Sequence, residues 1–221
     1  MKDLSCFALA FVFSGVLVAQ PSSVAVEEEP HHHVLLKSES VLVMRVTLPP
    51  AESTLFHTHS HDRVAIDLTD TAITLQRLGE PESAPESTKP GRVSASELNG
   101  PYTHRVHNVG PGVLEVLDVE LLYRPKQPGS TAAAKVEAEN PSARVYKWTL
   151  GPGATSAMHT HERPYLIVSA TPLTLKMTDP EGKSFTHDVK AGDFHWVDAR
   201  VTHTLGNEGT TAGQIVEIEL K

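Results

Sequence analysis

Apolar residues along this chain recur in short, β-branched runs that alternate with polar ones, and no segment sustains a helical period. Residues 41–48 form one such run, ended by Pro49-Pro50. Residues 64–68 and 72–75 form two more, divided by the turn-prone Thr69-Asp70-Thr71. Residues 103–109 and 113–122 follow, after a Pro-, Glu-, Ser- and Gly-rich stretch at 79–92 that predicts a surface loop. Each run predicts a strand, because alternation at period two turns one apolar face toward a core. The pattern then restarts, with strands predicted at 144–150, 165–169, 173–177, 194–197 and 214–220. The fold class is all-β.

The restart is a repeat. At an offset of 102 residues, Thr47-Leu48 falls on Thr149-Leu150, Pro50 on Pro152, and His57-Thr58-His59 on His159-Thr160-His161. At an offset of 99, His104 falls on His203, Asn108 on Asn207 and Gly110 on Gly209. A longer loop after residue 75 in the first copy accounts for the change of offset. Matches in this order predict a duplicated domain, at 31–123 and 143–221. Residues 124–142, with Pro-Lys-Gln-Pro-Gly-Ser and Glu-Asn-Pro, read as a linker with a short helical turn at 132–138.

Ahead of the repeat, residues 1–19 read as a signal peptide. Lys2 precedes an apolar run from Phe7 to Ala19, which is short for the alternative, an N-terminal membrane anchor. Export to a periplasm or to the outside is the expectation, with no membrane attachment after cleavage. Residues 20–30, with Glu27-Glu28-Glu29, read as a solvated leader, and His31-His32-His33 as partly exposed residues at a strand start.

Composition narrows the chemistry. A formal charge of −8 and a pI near 5.9, with no basic cluster, exclude nucleic acid and anionic membrane as partners. Cys6 is the only cysteine and lies in the expected signal, so a mature chain has no disulfide, thiolate ligand or cysteine nucleophile. Any metal must be held by nitrogen and oxygen.

Histidines supply that nitrogen. Residues i and i+2 of a strand share a face, so His159 and His161 set two imidazoles side by side, and His203 on a neighbouring strand closes a three-nitrogen site. His57, His59 and His104 repeat the arrangement. A lone inward histidine is commonly a hydrogen-bonded core residue; spacing and repetition together argue for ligands here.

These motifs resemble those of the cupins, and the duplication resembles a bicupin. Cupins carry a glycine, five residues, His-x-His and a glutamate four or five residues on, then a second motif with a glycine, a histidine and an asparagine. Here Gly153, His159, His161, Gly192, His203 and Asn207 match in the second copy, and His57, His59, His104 and Asn108 in the first. Ala51 and Val93 stand where the first copy's glycines belong. The resemblance implies two tandem jelly-roll barrels with the histidines pointing inward at the mouth. It also implies a small-molecule ligand or substrate, and pairing into homo-oligomers occurs in such proteins.

The motif glutamate is absent from both copies. Arg63 and Val64, then Tyr165 and Leu166, occupy its place, while Asp62 and Glu162 have the parity of outward-facing residues. Three neutral imidazoles suit Fe, Zn, Mn, Cu or Ni, and the ligands alone do not choose among them. Without a carboxylate the site is similar to that of three-histidine cupin dioxygenases, and it differs from oxalate-degrading bicupins, which use manganese with a glutamate. The expected activity is a metal-dependent, dioxygenase-like oxidoreductase; the other reading is a non-catalytic cupin that binds a small polar ligand or metal.

Around these ligands, His61 and Tyr165 are candidates for a fourth ligand or an outer contact, and Arg63 for a substrate contact through a carboxylate. For water activation by zinc, His195 and Tyr165 are the candidate bases. His107 and His187 read as peripheral, Asn108 and Asn207 as turn formers, and Phe56, Met158, Phe194 and Trp196 as core packing.

Overall fold

Alternation at period two becomes nineteen strands among the described residues, which in this computed structural model are 22–123, 135–198 and 200–221. The expected signal segment with Cys6, and residues 124–134 of the expected linker, lie outside them. The first half runs β1 Val24–Ala25, β2 His32–Lys37, β3 Val41–Leu48, β4 His57–His59, β5 Arg63–Asp67, β6 Ala72–Arg77, β7 Glu86–Ser87, β8 Val93–Ser96, β9 Tyr102–Asn108 and β10 Leu114–Leu121. The second runs β11 Val136–Glu139, β12 Ala143–Leu150, β13 His159–His161, β14 Tyr165–Ser169, β15 Leu173–Thr178, β16 Ser184–Val189, β17 Phe194–Val197, β18 Val201–Asn207 and β19 Gly213–Leu220. Among the described residues no helix is long and apolar enough to cross a membrane.

Each half is a two-sheet jelly-roll barrel. In the first, the sheet β1-β4-β9-β6-β7 faces the sheet β2-β3-β10-β5-β8; in the second, β13-β18-β15-β16 faces β11-β12-β19-β14-β17. The registers coincide. Met44 lies opposite Asp118 and Val46 opposite Val116, as Tyr146 lies opposite Glu217 and Trp148 opposite Ile215.

The two larger sheets also pack on each other. Val41, Val43, Val64, Ile66, Leu117 and Val119 join Val145, Leu166, Val168, Val216 and Ile218 in one buried cluster. One face of these strands therefore fills the space between barrels while the other lines a barrel. That is why residues 41–44 are apolar without a break rather than alternating. Burying each such side chain contributes about 1.5–3 kcal/mol.

Several expectations need correcting. The leader is packed rather than solvated: β1 pairs in parallel with β4, and Val26 and Glu29 are buried. His32 is buried too, its Nδ1 2.6 Å from Glu29 Oε2. Residues 136–139 form a strand on β12 instead of a helical turn. Asp62 is buried between the halves rather than facing outward, accepting from the Leu98 amide at 2.9 Å and from Ser142 Oγ at 2.6 Å.

The glycine of the second motif is present after all. Gly91 has φ 79° and donates its amide to the Asp67 carbonyl at 2.9 Å, as Gly192, at φ 82°, donates to the Ser169 carbonyl at 2.8 Å. The first motif keeps its geometry but not its residue. Ala51 adopts φ 63° where Gly153 adopts φ 70°.

Candidate metal centres

The short strands β4 and β13 place the histidines. His57 sits opposite His104 on β9, and His159 opposite His203 on β18. His59 and His161, two residues on, share the inward face. Outward, Thr58 meets Thr103 at 2.8 Å and Thr160 meets Thr202 at 2.8 Å, so a hydroxyl pair pins each register. All six imidazoles are buried.

Backbone and carboxylate acceptors set the tautomers. His57 Nδ1 donates to the Leu55 carbonyl at 3.0 Å, and His159 Nδ1 to the Ala157 carbonyl at 2.9 Å. His59 Nδ1 donates to Glu120 Oε1 at 3.0 Å. Each bond leaves an Nε2 lone pair turned into its cluster. His59 Nε2 then lies 3.1 Å from His104 Nε2, and His203 Nε2 lies 3.0 Å from His159 Nε2. His161 Nε2 is buried 3.1 Å from Glu217 Oε1, outside hydrogen-bonding geometry. Buried ring nitrogens that converge this closely fit a bound cation.

Six of the expected ligands are thus brought together, in two groups whose donor atoms lie within 4.8 Å of one another: His57, His59, His104, and His159, His161, His203. The second group has a member that the motif pattern did not predict. Glu217 of β19 reaches all three imidazoles, with Oε2 3.1 Å from His159 Nε2 and Oε1 3.1 Å and 3.0 Å from Nε2 of His161 and His203. The carboxylate missing from the motif is supplied by the last strand. Its signal was legible: Glu217 and Glu219 alternate with Val216 and Ile218, which puts two acids on a barrel-facing side.

In the first barrel the equivalent acid is Asp118, one methylene shorter and turned to a different partner. Arg63 grips it with Nε at 3.1 Å from Oδ1 and Nη2 at 3.0 Å from Oδ2. Arg63 is therefore held beside the cluster by an acid of its own. Next to it, Glu120 spans His59 and His61, its Oε2 3.1 Å from His61 Nδ1. His61 is half-exposed and outside the ligand group.

Tyr165 makes the outer contact expected of it. Its ring stacks on His161 at 3.9 Å and 20°, and its hydroxyl is buried without a hydrogen-bond partner. His195 is exposed on β17, away from both groups, which removes it as a base. Met158 is exposed rather than core. Asn108 and Asn207 behave as turn formers, donating to the Leu48 and Leu150 carbonyls at 2.9 Å each.

Electrostatics separate the sites. Burial, with the neighbouring His32, pushes His57 down to about 4. Burial and the Arg63 charge hold His59 far below the usual imidazole range, and burial with His57 and Arg63 does the same to His104. Neutral imidazoles of this kind are ready to ligate. In the second barrel burial opposes a charge on His161, but Glu217 and Glu219 outweigh it and raise the group to about 9. Burial would raise Glu217, yet its three histidines hold it well below the carboxylate range.

Space separates them as well. A cavity of about 770 Å³ in the first barrel is lined by His57, His59, His104, Arg63, Asp118 and His32, with Leu75, Val106 and Val116 as an apolar wall. In the second barrel Tyr165, Ile167, Leu175 and Ile215 form a buried cluster with Trp148 packed against it.

No family model matches the chain. It is 32% identical over 90 residues to the Beta-alanine degradation protein BauB of Pseudomonas aeruginosa, covering 41% of this chain and 94% of that one. Two solved structures share the fold at low identity. The Cupin 2 conserved barrel domain protein from Leptotrichia buccalis aligns at a TM-score of 0.53 and 13% identity over 86% of this chain and 88% of its own. The salicylate 1,2-dioxygenase from Pseudaminobacter salicylatoxidans aligns at 0.56 and 13% over 85% and 75%. With two histidine-bearing jelly rolls in tandem, the chain belongs to the cupins and is a bicupin.

Proposed function

We propose that the protein is an exported metal-dependent oxidoreductase of the dioxygenase kind, acting on a small anionic molecule in the chamber of the first barrel. One observation carries the reading: three neutral histidines without a carboxylate among them open on a cavity of about 770 Å³. A redox-active divalent metal there would supply oxygen activation and keep positions for a chelating ligand. His57, His59 and His104 would hold it. Arg63 has donors beyond the two that Asp118 takes, and these suit a carboxylate. Leu75, Val106 and Val116 would exclude water from the ligand's apolar part. Two of the similar proteins are named for the turnover of small carboxylate-bearing molecules, salicylate and beta-alanine.

Glu217 widens the range of substrates to consider. A glutamate does stand with three histidines in the second barrel, so its absence no longer separates this chain from oxalate-degrading bicupins. Oxalate therefore belongs among the substrates to try. The binding-only reading rests on Arg63, whose charge beside His59 opposes a metal in the first barrel.

The test is metal analysis of protein purified from its native compartment, then oxygen uptake with diketones, phenols, thiols, aromatic hydroxy acids and oxalate. Iron, copper, nickel or manganese with turnover that is lost in His57→Ala is the expected result. Zinc or no metal in the first barrel, with no oxygen consumed and no product from oxalate, would leave a binding protein. Export is checked separately, by sequencing the N-terminus of protein recovered outside the cytoplasm.

A further inference from the structure

Among the described residues the first barrel has a strand with no counterpart in the second: β1 lies beside β4, and the chain runs from it through Glu29 into β2. Glu29 anchors this segment. It is 1% exposed, its Oε2 accepts from His32 Nδ1 at 2.6 Å, and its Oε1 accepts from the Leu55 amide at 3.1 Å. The Leu55 carbonyl in turn accepts from His57 Nδ1 at 3.0 Å, so one carboxylate fixes both His32 and the residue that orients His57. We infer that His32 is a ligand-contacting residue of the first chamber, its Nε2 accepting a hydrogen bond from a hydroxyl of the bound molecule, with Glu29 as its positioning residue. This rests on the chamber reading above and narrows it, from any small anion to a hydroxy acid.

Geometry turns the free edge of this ring to the chamber. His32 lines the cavity of about 770 Å³ and Glu29 does not, so the edge opposite Nδ1 is the one that faces in. The ring lies 4.6 Å from that of His57, tilted by 57°. His32 is only 6% exposed, yet among the described residues its Nε2 has no hydrogen-bond partner and is not sealed from solvent, which leaves its opening toward the cavity. Burial would raise Glu29, but its bonds to His32, His31 and the Leu55 amide bring it down to about 2, so it is the acceptor and Nδ1 the donor. In the neutral ring Nε2 is then an acceptor. The wall is otherwise short of free acceptors: Arg63 takes Asp118, and Arg92 takes Asp67. A ligand hydroxyl buried there without an acceptor would be costly, and His32 supplies one. In the second barrel the ring against His159 is the Trp148 indole, which offers a donor only.

The test titrates the zinc-loaded chain by calorimetry with the ortho, meta and para hydroxybenzoates, each beside its methyl ether, which keeps the oxygen and removes its proton. At least one hydroxybenzoate should bind more tightly than its ether. His32→Asn retains an amide that can donate to Glu29 but has no atom where Nε2 stood. It should weaken that hydroxybenzoate by roughly tenfold and leave the ether unchanged. His32→Gln, whose amide oxygen reaches the Nε2 position, should recover most of the loss. Glu29→Gln, which no longer fixes the tautomer, should cost the hydroxybenzoate part of that factor and the ether nothing. Equal losses for acid and ether, or no loss in His32→Asn, overturn the inference, as does a wild-type chain that binds none of the acids or prefers none to its ether. If His32→Asn does not fold, the nitrogen NMR signal of His32 Nε2 in the wild-type chain should shift with the hydroxybenzoate and not with its ether; a shift with both or with neither overturns it. Zinc is redox-inert and oxygen uptake is not a readout, so failure of the oxidoreductase reading leaves this test intact.

Discussion

The two barrels share a register and six histidines, yet they spend a buried acid in opposite ways. In the second, Glu217 is given to the imidazoles, and the larger Trp148, Tyr165, Ile167 and Ile215 stand where the first has Val46, Arg63, Ala65 and Val116. In the first, Asp118 is given to Arg63 and the chamber stays open. A duplicated scaffold can thus change what surrounds a histidine cluster through a few inward positions on three strands.

The sharpest way to break this contrast is to remove Arg63. Asp118 is 1% exposed, and Arg63→Ala would leave its charge buried without its guanidinium partner. The expected loss is about 3–5 kcal/mol in urea denaturation, with a clearly smaller loss in Arg63→Ala/Asp118→Ala, where both charges go. A double variant as damaged as the single would show that the ion pair does not organise the chamber. Arg63→Tyr/Asp118→Glu copies the second barrel's pair, and by calorimetry it should bind zinc in the first barrel at least tenfold more tightly, since it trades a nearby cation for a fourth donor.

This difference also marks the limit of what the sequence disclosed. His-x-His is legible because strand parity alone decides that both rings share a face, and the repeat at two offsets gave the second copy. The acids were not legible from the motif. Glu217 stands on a strand distant in sequence from the His-x-His, and only the closure of the barrel brings it across. A second signal was available in the alternation of Asp118 and Glu120 with Val119, repeated by Glu217 and Glu219 with Ile218. Buried acids on a barrel-facing side require partners. Strands β8 and β16 went unpredicted for another reason: they lie at sheet edges, where β8 is only four residues long and β16 carries mostly polar side chains. The leader's packing depends on Glu29 capturing His31 and His32, a contact that no period encodes.

Metal-free protein should lose stability toward acid in both barrels, since burial lowers His203 as well, and toward alkali in the second alone. His57 is lowered from 6.5 to about 4 in the folded chain, mainly by burial, so the unfolded chain binds the proton more readily. Stability from this group is present above about 6.5 and falls as pH drops toward 4, by about 3 kcal/mol. His59 and His104 are lowered in the same direction and add to the loss. His161 is raised to about 9, first by Glu217 against the cost of burial, so its contribution is complete below 6.5 and is lost as pH rises through 9. Glu217, lowered in the folded state, adds a loss only below the carboxylate range. Denaturation midpoints in EDTA across pH, with fluorescence of Trp148 and Trp196 reporting the second barrel, separate these limbs. Second-barrel unfolding that is indifferent to alkali would contradict the charged His161–Glu217 contact.

A smaller asymmetry concerns the acids behind the ligands. Glu120 Oε1 is 3.0 Å from His59 Nδ1, whereas Glu219 Oε2 stands 3.9 Å from His161 Nδ1. Glu120→Gln should weaken zinc binding in the first barrel by about 10–100-fold, because the carboxylate fixes the ring and strengthens its donor nitrogen. Glu219→Gln should cost the second barrel less, given the longer separation. His61→Ala should cost the first barrel less still, since His61 is half-exposed and reaches the site only through Glu120. Equal losses from Glu120→Gln and Glu219→Gln in paired titrations would mean that distance is not what grades these contacts.

The finest distinction lies in the turn before each His-x-His. Ala51 donates its amide to the Asn108 carbonyl at 2.9 Å, and Gly153 donates to the Asn207 carbonyl at 2.8 Å. Both need the left-handed region, at φ 63° and 70°. For an L-residue that region costs about 1–2 kcal/mol, while glycine costs about 0.5–1 kcal/mol in extra unfolded-chain freedom. Ala51→Gly should therefore gain a few tenths to about 1 kcal/mol, and Gly153→Ala should lose about as much. The Cβ of Gly153 would meet nothing within 4 Å, so backbone conformation alone sets that second figure. Midpoint shifts of opposite sign and similar size would show that the same turn is built in both barrels, strained in the first and relaxed in the second. Shifts of the same sign would mean that the first turn reaches its hydrogen bond by another route.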